Sequence, residues 1–547
     1  MLVLVDCTKF WHTSGLIFLF YRRPNPLPDW ANDRQQLHLE NYMKIIGVIS
    51  TVVFAILIQA QVLAEDIAFN PDESVITKHT TRIKGKKVAY TAETGMQPVW
   101  DEMGKVAAGL FYTYYKRTDV DDSETRPLVF SFNGGPGSAS VWMHIAYTGP
   151  RVLNIDSEGY PLQPYGTKSN PHSVLDVADI VFVNPVNTGY SRLVPDEDGK
   201  LPSKDQQQKK YFGVNADIKY LAEWMNTFVT RHERWRSPKY LIGESYGTVR
   251  VSGLALELQN AQWMYLNGVV LVSPTTIGID RDGPVRMANR LPYYAATAWY
   301  HKVLPEPLQS MDFDALLAEV EQYTIDTYLP ALARGNTLSA EQKKAIADKV
   351  SYYSGLSVED VMGSHLQIDL QFFWKRLLNK DGYTVGRLDS RYLGIDRKEV
   401  GDRPDYWAEL TSWLHSFTPA INHYIRTELG YKTDIKYQML SRMVHPWDRQ
   451  NNRTGEQLRQ AMAQNPYLHV MTQSGYFDGA TNYFDAKYNH WHLDPSGKMR
   501  DRMSFKGYMS GHMMYLRAED LQKSNDDFRA FIKDTMVSPK QAAKYSR

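Results

Sequence analysis

Cysteine is almost absent: one residue, Cys7, occurs in a chain of 547. A single thiol can close no internal disulfide and build no Cys-ligated metal site. The fold must therefore be held by its core, and at this length a core is ample. An excess of either charge is also lacking, since 62 Lys and Arg face 61 Asp and Glu for a net charge of +1. That balance excludes the basic footprint of a nucleic-acid-binding protein. Internal repeats and low-complexity tracts are missing, which sets aside solenoids and disordered chains. With 43% hydrophobic and 22% charged residues, the chain reads as globular and not as a multi-span membrane protein. Its length allows about two to four domains, or one large domain carrying an insertion.

The one notable apolar run lies near the N-terminus. Met43-Lys44 opens it, Ile45 to Ile58 forms its centre, and Gln59-Ala60-Gln61-Val62-Leu63-Ala64 precedes Glu65-Asp66. A charged start, a short apolar centre and small residues at the end make a secretory signal peptide. Cleavage is expected after Ala64, leaving a periplasmic or secreted protein without cysteine. A membrane anchor over Ile45 to Leu63 is the competing reading, but Gln59 and Gln61 interrupt its end and Val62-x-Ala64 suits a peptidase. Met43 then reads as the start, with residues 1–42, which include the Pro-rich stretch Pro24 to Pro28, as an upstream extension.

Beyond this leader, Pro127 to Phe132, Ile180 to Val183, Tyr240 to Ile242 and Val269 to Val272 are continuous apolar runs ending in small or turn residues. Buried parallel strands look like this. A helical pattern from about Tyr211 to Arg231 lies among them, with Leu221, Trp224, Met225 and Phe228 at helical spacing. From residue 276 to 455 the texture is helical. Leu316 to Leu329 is periodic, Ser339 to Gln342 forms a capping box, and Val358 to Leu378 is amphipathic. Strand signal returns at Tyr467 to Met471. The economical reading is an α/β core, residues 65–275 and 456–547, interrupted by a large helical insertion or cap.

The strongest motif is Gly243-Glu244-Ser245-Tyr246-Gly247, a G-x-S-x-G placed after an apolar strand and before the helical stretch Val251 to Gln259. On so sharp a turn a serine hydroxyl projects above the sheet, and side chains at the flanking glycines would clash. Asn133-Gly134-Gly135-Pro136-Gly137 follows an earlier strand, where α/β-hydrolases place the other half of an oxyanion hole. A phosphate loop fits worse: no Gly-Lys-Ser/Thr follows, and Pro136 removes a donor. In this fold an acid and then a histidine follow the serine. Asp478 lies just past the strand Tyr467 to Met471, and His512 sits in the small-residue turn Ser510-Gly511-His512-Met513.

Together these motifs resemble the serine carboxypeptidase family, to which carboxypeptidase Y and cathepsin A belong. Asn170-Pro171-His172-Ser173 and Asn184 to Ser191 are similar to that family's intervening segments, and Val385-Gly-Arg-Leu-Asp-Ser-Arg-Tyr-Leu-Gly394 to its bacterial branch. The resemblance runs from about Gly109 to Ile532. It implies an α/β-hydrolase fold with Ser245 as nucleophile, His512 as base and Asp478 as its orienting acid. The N–H groups of Gly135 and Tyr246 would form the oxyanion hole. Asn133, Gly134 and Glu244 would bind the substrate's C-terminal carboxylate. The chain departs from the family where a second glutamate is usual, since counting from Asn133 lands on Tyr147, whose hydroxyl can donate to a carboxylate but cannot form a carboxyl pair. Ser138 stands where many relatives have a disulfide cysteine.

No cofactor or metal is implied. His490-Trp491-His492 is a weak metal pair and reads better as aromatic packing, and Tyr352, Phe372 and Trp374 are core residues unless they line a cleft. The expected partner is a peptide, with no nucleic acid and no stable membrane association after leader removal; a homodimer remains an alternative to a monomer. An esterase or acyltransferase on the same triad is the competing activity, and a silent binding protein the third reading. A glutamate facing a carboxylate repels it unless protonated. kcat/KM for peptides is therefore expected to rise below neutrality; a flat profile, or one falling throughout the acid side, contradicts the role of Glu244.

Overall fold

The computed structural model describes residues 69–122, 124–277, 282–450, 452–536 and 542–545. The leader at 43–64, the extension before it and Cys7 lie outside these residues. The chain divides into two units, Met1–Phe69 and Asn70–Arg547, and the architecture below is that of the second.

Its centre is a mixed ten-stranded sheet. Strands β1 (Ser74–Ile83), β2 (Lys86–Trp100) and β3 (Val106–Arg117) form an antiparallel meander. Next come β4 (Leu128–Phe132), β5 (Asp179–Val183), β6 (Lys239–Glu244), β7 (Gly268–Val272), β8 (His469–Gly475) and β9 (Met503–Tyr508). The order across the sheet is β1-β2-β3-β5-β4-β6-β7-β8-β9, with the two-residue strand Arg192–Leu193 beside β3. From β5 to β9 every pairing is parallel. Each of β4 to β7 is buried along its whole length, which explains their uninterrupted apolar sequences. Strand β2 carried no clear strand signal, because it contains Gly95 and Pro98 and shifts register at Val99/Trp100.

Helices α1 (Val214–Arg231) and α2 (Tyr246–Ala261) connect the central strands. In the insertion lie α3 (Leu291–Tyr300), α4 (Phe313–Tyr323), α5 (Ala340–Ser354) and α6 (Ala408–Thr427). The chain then returns through α7 (Thr454–Gln464) to β8 and β9 and ends in α8 (Ala518–Thr535). Trp224 and Phe228 of α1 meet Tyr112 and Phe130 of the sheet edge to face. Helices α2 and α7 extend the same apolar layer. On the opposite face, Phe531 of α8 packs against Tyr240. Both faces are covered, as a parallel sheet requires.

The insertion has a core of its own, built from α3, α5 and the short helices Val358–Gly363 and Leu370–Arg376. The amphipathic stretch 358–378 is thus two helices and not one. His365 and Leu366 take positive φ of 50° and 67° between them, and the Asp369 side chain caps the second helix through the N–H of Gln371. The Ser339 box forms with both bonds present. A further cluster joins Ala296, Phe313 and Leu317 of the insertion to Phe477, Tyr483 and Phe484 just after β8. Among the described residues, no helix is long and apolar enough to cross a membrane.

Beneath the site a buried ion pair ties three segments together. Arg250 of α2 donates to Asp217 of α1 at 2.7 Å and to the carbonyl of Asn133 at 2.7 Å, and both charged side chains are almost fully buried. Removing the acid strands a buried guanidinium. Asp217→Ala is therefore expected to cost about 3–5 kcal/mol in urea unfolding; a loss below about 1 kcal/mol contradicts this role of the pair.

Candidate active site

The expected site residues follow the C-terminal ends of four of the five consecutive parallel strands β4-β6-β7-β8-β9: Asn133 to Gly137 after β4, Ser245 after β6, Asp478 after β8 and His512 after β9. Open α/β sheets bind ligands at this edge. Ser245 joins β6 to α2 with φ 58° and ψ −125°, a conformation that costs a non-glycine residue strain and persists only when held. It is held at both ends: its N–H donates to the carbonyl of Val272 at 3.0 Å, and its carbonyl accepts from the Thr248 N–H at 3.0 Å. A Cβ on Gly243 would lie 2.3 Å from the Gly247 carbonyl oxygen, and one on Gly247 would lie 2.7 Å from that of Phe132. Both glycines are required by space.

The glycine loop lies against this turn. A Cβ on Gly134 would come within 2.5 Å of the Tyr246 nitrogen and 2.7 Å of the Glu244 oxygen, while Gly135 has φ +105°. The loop backbone and the start of α2, whose first N–H groups have no intrahelical acceptor, thus share one small region.

Asp478 is wholly buried. Its Oδ1 accepts from the N–H groups of Ala480 at 2.8 Å and Thr481 at 3.0 Å. Its Oδ2 accepts from Thr481 Oγ1 at 2.6 Å and from His512 Nδ1 at 2.7 Å. The His512 backbone is pinned as well: its N–H donates to the Leu388 carbonyl at 2.6 Å, and its carbonyl accepts from Ser273 Oγ at 2.7 Å. Burial disfavours the imidazolium, but the Asp478 carboxylate more than compensates and raises the His512 pKa above its ordinary value.

Ser245, His512, Glu244, Gly134 and Gly135 line one cavity of about 290 Å³. Its walls include Trp142 and Met513, with Arg387, Leu388, Leu410, Trp413 and Leu440 from the insertion. A larger hollow of about 520 Å³ lies between β2 and α1, and none of its lining residues is a serine or histidine.

Glu244 is 3% exposed. Asn133 Nδ2 donates to its Oε1 at 3.0 Å, and the Tyr515 hydroxyl donates to its Oε2. Burial lifts its pKa from 4.5 to about 7 against the pull of His512 and of these donors. Of the four expected carboxylate contacts, Gly134 and Glu244 line the cavity and Asn133 stands behind, bonded to Glu244. Tyr147 is placed elsewhere. It is fully buried, its hydroxyl donates to Gln473 Oε1 at 2.7 Å, and its ring stacks on that of Tyr515 at 4.7 Å. Tyr515 instead supplies the hydroxyl facing Glu244, a residue no local motif marks.

The weaker candidates fall outside the cavity lining. His492 stacks on Tyr488 at 4.0 Å and His490 faces Phe505. Trp374 is buried in the insertion core, with Tyr352 and Phe372 packed against that core.

A family model described as Peptidase_S10, serine carboxypeptidase, matches residues 86–514. Serine carboxypeptidase-like 36 of Arabidopsis thaliana is 30% identical over 172 residues, 31% of this chain and 32% of that protein. The retinoid-inducible serine carboxypeptidase of Homo sapiens is 29% identical over 182 residues, 32% of this chain and 35% of that one. These matches span about a third of each relative's length. Among solved structures, Kex1(delta)p, a prohormone-processing carboxypeptidase from Saccharomyces cerevisiae, superposes with a TM-score of 0.52 at 16% identity, covering 81% of this chain and 92% of that one. At that identity the likeness speaks for the α/β-hydrolase fold.

A carboxyl that holds its proton more tightly when folded weakens the native state as pH rises from 4.5 towards 7. Glu244→Gln mimics the protonated form and escapes that penalty. Its stability relative to the unsubstituted protein should therefore grow by about 3 kcal/mol between acidic and mildly alkaline urea titrations; a difference independent of pH contradicts the buried, high-pKa carboxyl.

Proposed function

The chain belongs to the serine carboxypeptidase family, and from that premise we propose that it is an exported peptidase that removes C-terminal residues through an acyl-enzyme. Ser245 Oγ attacks the carbonyl of the last peptide bond while His512 Nε2 takes its proton. Asp478, bonded to Nδ1, fixes the imidazole tautomer and stabilises the cation that forms. The N–H groups of Gly135 and Tyr246 receive the negative oxygen of the tetrahedral intermediate, each such donor contributing about 3–4 kcal/mol. Collapse breaks the C–N bond as His512 returns the proton to the leaving amine. Water, deprotonated by the same histidine, then attacks the acyl-Ser245 ester and regenerates the serine.

Exopeptidase action needs a group that accepts the terminal carboxylate, and Glu244 is the observation that carries this reading. Buried beside the nucleophile with a pKa near neutrality, it holds a proton over part of the working range and in that state donates a hydrogen bond where its anion would repel. Asn133 and Tyr515 hold its two oxygens in place. Residues 65–275 and 456–547 would form the catalytic core and 276–455 the cap, with export directed by the leader ending at Ala64.

The pH profile separates peptidase from esterase. A blocked dipeptide with a free C-terminus should show an alkaline limb in kcat/KM from loss of the Glu244 proton at about pH 7. Because protonation of His512 lowers activity on every substrate at acid pH, the rise below neutrality is read from the dipeptide's ratio to an ester. The corresponding ethyl ester has no carboxylate to bind and should lack the alkaline limb. Ser245→Ala should lower kcat for both by about 10⁶. Cleavage of the ester without the free acid would favour the esterase or acyltransferase, and activity surviving Ser245→Ala would overturn the triad.

A further inference from the structure

One charged side chain in the cavity is unused by this mechanism. Arg387 lies in the insertion segment between Val385 and Leu393 and reaches the cavity that holds Ser245 and His512. Its backbone is stitched to both catalytic turns. The Arg387 carbonyl accepts from the Gly479 N–H at 3.0 Å, next to Asp478, and the following Leu388 carbonyl accepts from His512 N–H at 2.6 Å. Leu388 N–H is itself held by Glu409 Oε1 at 2.8 Å. The base of the arginine is therefore rigid relative to the reacting groups.

Among the described residues its guanidinium makes no ion pair, and the acid its charge acts on is Glu409. The other ions of this segment are paired: Asp389 with Arg391 at 2.7 Å, and Asp396 with Lys375 at 2.6 Å. Glu409 feels the Arg387 charge, but burial outweighs it and pushes the Glu409 pKa up to about 7, and its Oε2 receives no hydrogen bond among the described residues, so below neutrality it offers the guanidinium little negative charge. Arg387 instead rests over the ring of Trp407, 5.8 Å from its centroid. A partly buried cation beside a nucleophile, its nearby carboxyl held largely neutral below pH 7, is suited to a substrate anion.

Location says which anion. Because Leu388, the next residue, accepts from the His512 N–H and Arg387 lines the cavity with His512, the arginine enters on the histidine side, where its charge also opposes His512 protonation. His512 must protonate the leaving amine, so the departing C-terminal amino acid lies on that same side. That amino acid carries an α-carboxylate, already assigned to Gly134 and Glu244, and a side chain. We infer that Arg387 binds the side chain of the departing residue and selects aspartate or glutamate at the substrate's C-terminus. The inference rests on the carboxypeptidase reading and adds a substrate class to it.

The test uses two N-blocked dipeptides that differ only in a C-terminal Glu or Gln, assayed at about pH 6, where a free glutamyl carboxyl is ionised. The unsubstituted enzyme should prefer Glu by about tenfold to a hundredfold in kcat/KM, the scale of a charge-assisted hydrogen bond. Arg387→Met should bring the Glu to Gln ratio to about one, and Arg387→Glu should favour a C-terminal Lys over Glu. A ratio near one in the unsubstituted enzyme overturns the inference without any variant. So does a preference that survives Arg387→Met, or an equal fall for both peptides, which would place the guanidinium on the α-carboxylate. Failure to cleave either peptide, with the ethyl ester still hydrolysed, would remove the carboxypeptidase reading itself.

Discussion

The bond between His512 Nδ1 and Asp478 Oδ2, 2.7 Å long with the carboxylate wholly buried, is the interaction to which the rest of the architecture answers. A buried carboxylate is tolerable only when its lone pairs are occupied. Here two N–H groups and the Thr481 hydroxyl occupy what the imidazole does not. The two turns can meet because β8 and β9 are adjacent and parallel, so their C-terminal ends emerge side by side. Glycine allows the contact: a Cβ on Gly475 would lie 2.1 Å from the carbonyl oxygen of Gly511.

The insertion is part of this constraint. Leu388 accepts from the His512 N–H, Arg387 from the Gly479 N–H, and the Phe477 carbonyl from the Ser390 N–H. Asp389 presses on the histidine turn so closely that a Cβ on Gly511 would be 2.5 Å from its side chain. The Arg391 guanidinium bridges Asp389 to Ser510. The segment from Gly386 to Arg391 thus supports the turns that carry Asp478 and His512 while its apolar neighbours wall the cavity. Cavity wall and support of the His512 turn lie in one piece of chain, so exchange of the cap would disturb that turn.

Legibility in the sequence followed the range of the interactions. Ser245 and the glycine loop were readable because their chemistry is local: a strained turn needs glycine at fixed offsets, and fully buried parallel strands need unbroken apolar runs. Asp478 and His512 were readable by order and by their small-residue turns. Tyr147 was misplaced because counting along a helix assumed that its side chain faces the cavity, whereas it lies behind Tyr515. Tyr515 itself meets Glu244 across 271 positions, a distance over which no spacing rule operates. Arg387 stood inside a segment noticed for resemblance alone, and its meaning required knowing that Asp389 and Arg391 neutralise each other. In the meander, β1 is largely exposed and β2 is broken by Gly95 and Pro98, so both carry little apolar signal, whereas the buried aromatic run Leu110 to Tyr115 of β3 was a signal the sequence offered.

The central claim is that Ser245 is a nucleophile activated by His512 and Asp478. Exposing the purified protein to a fluorophosphonate at neutral pH and mapping the adduct by peptide mass spectrometry tests it most directly, since phosphonylation requires an activated hydroxyl. One covalent adduct, on Ser245, is the predicted result, with labelling lost in His512→Ala. An unlabelled Ser245, or an adduct on another residue that tracks with the loss of activity, would contradict the account.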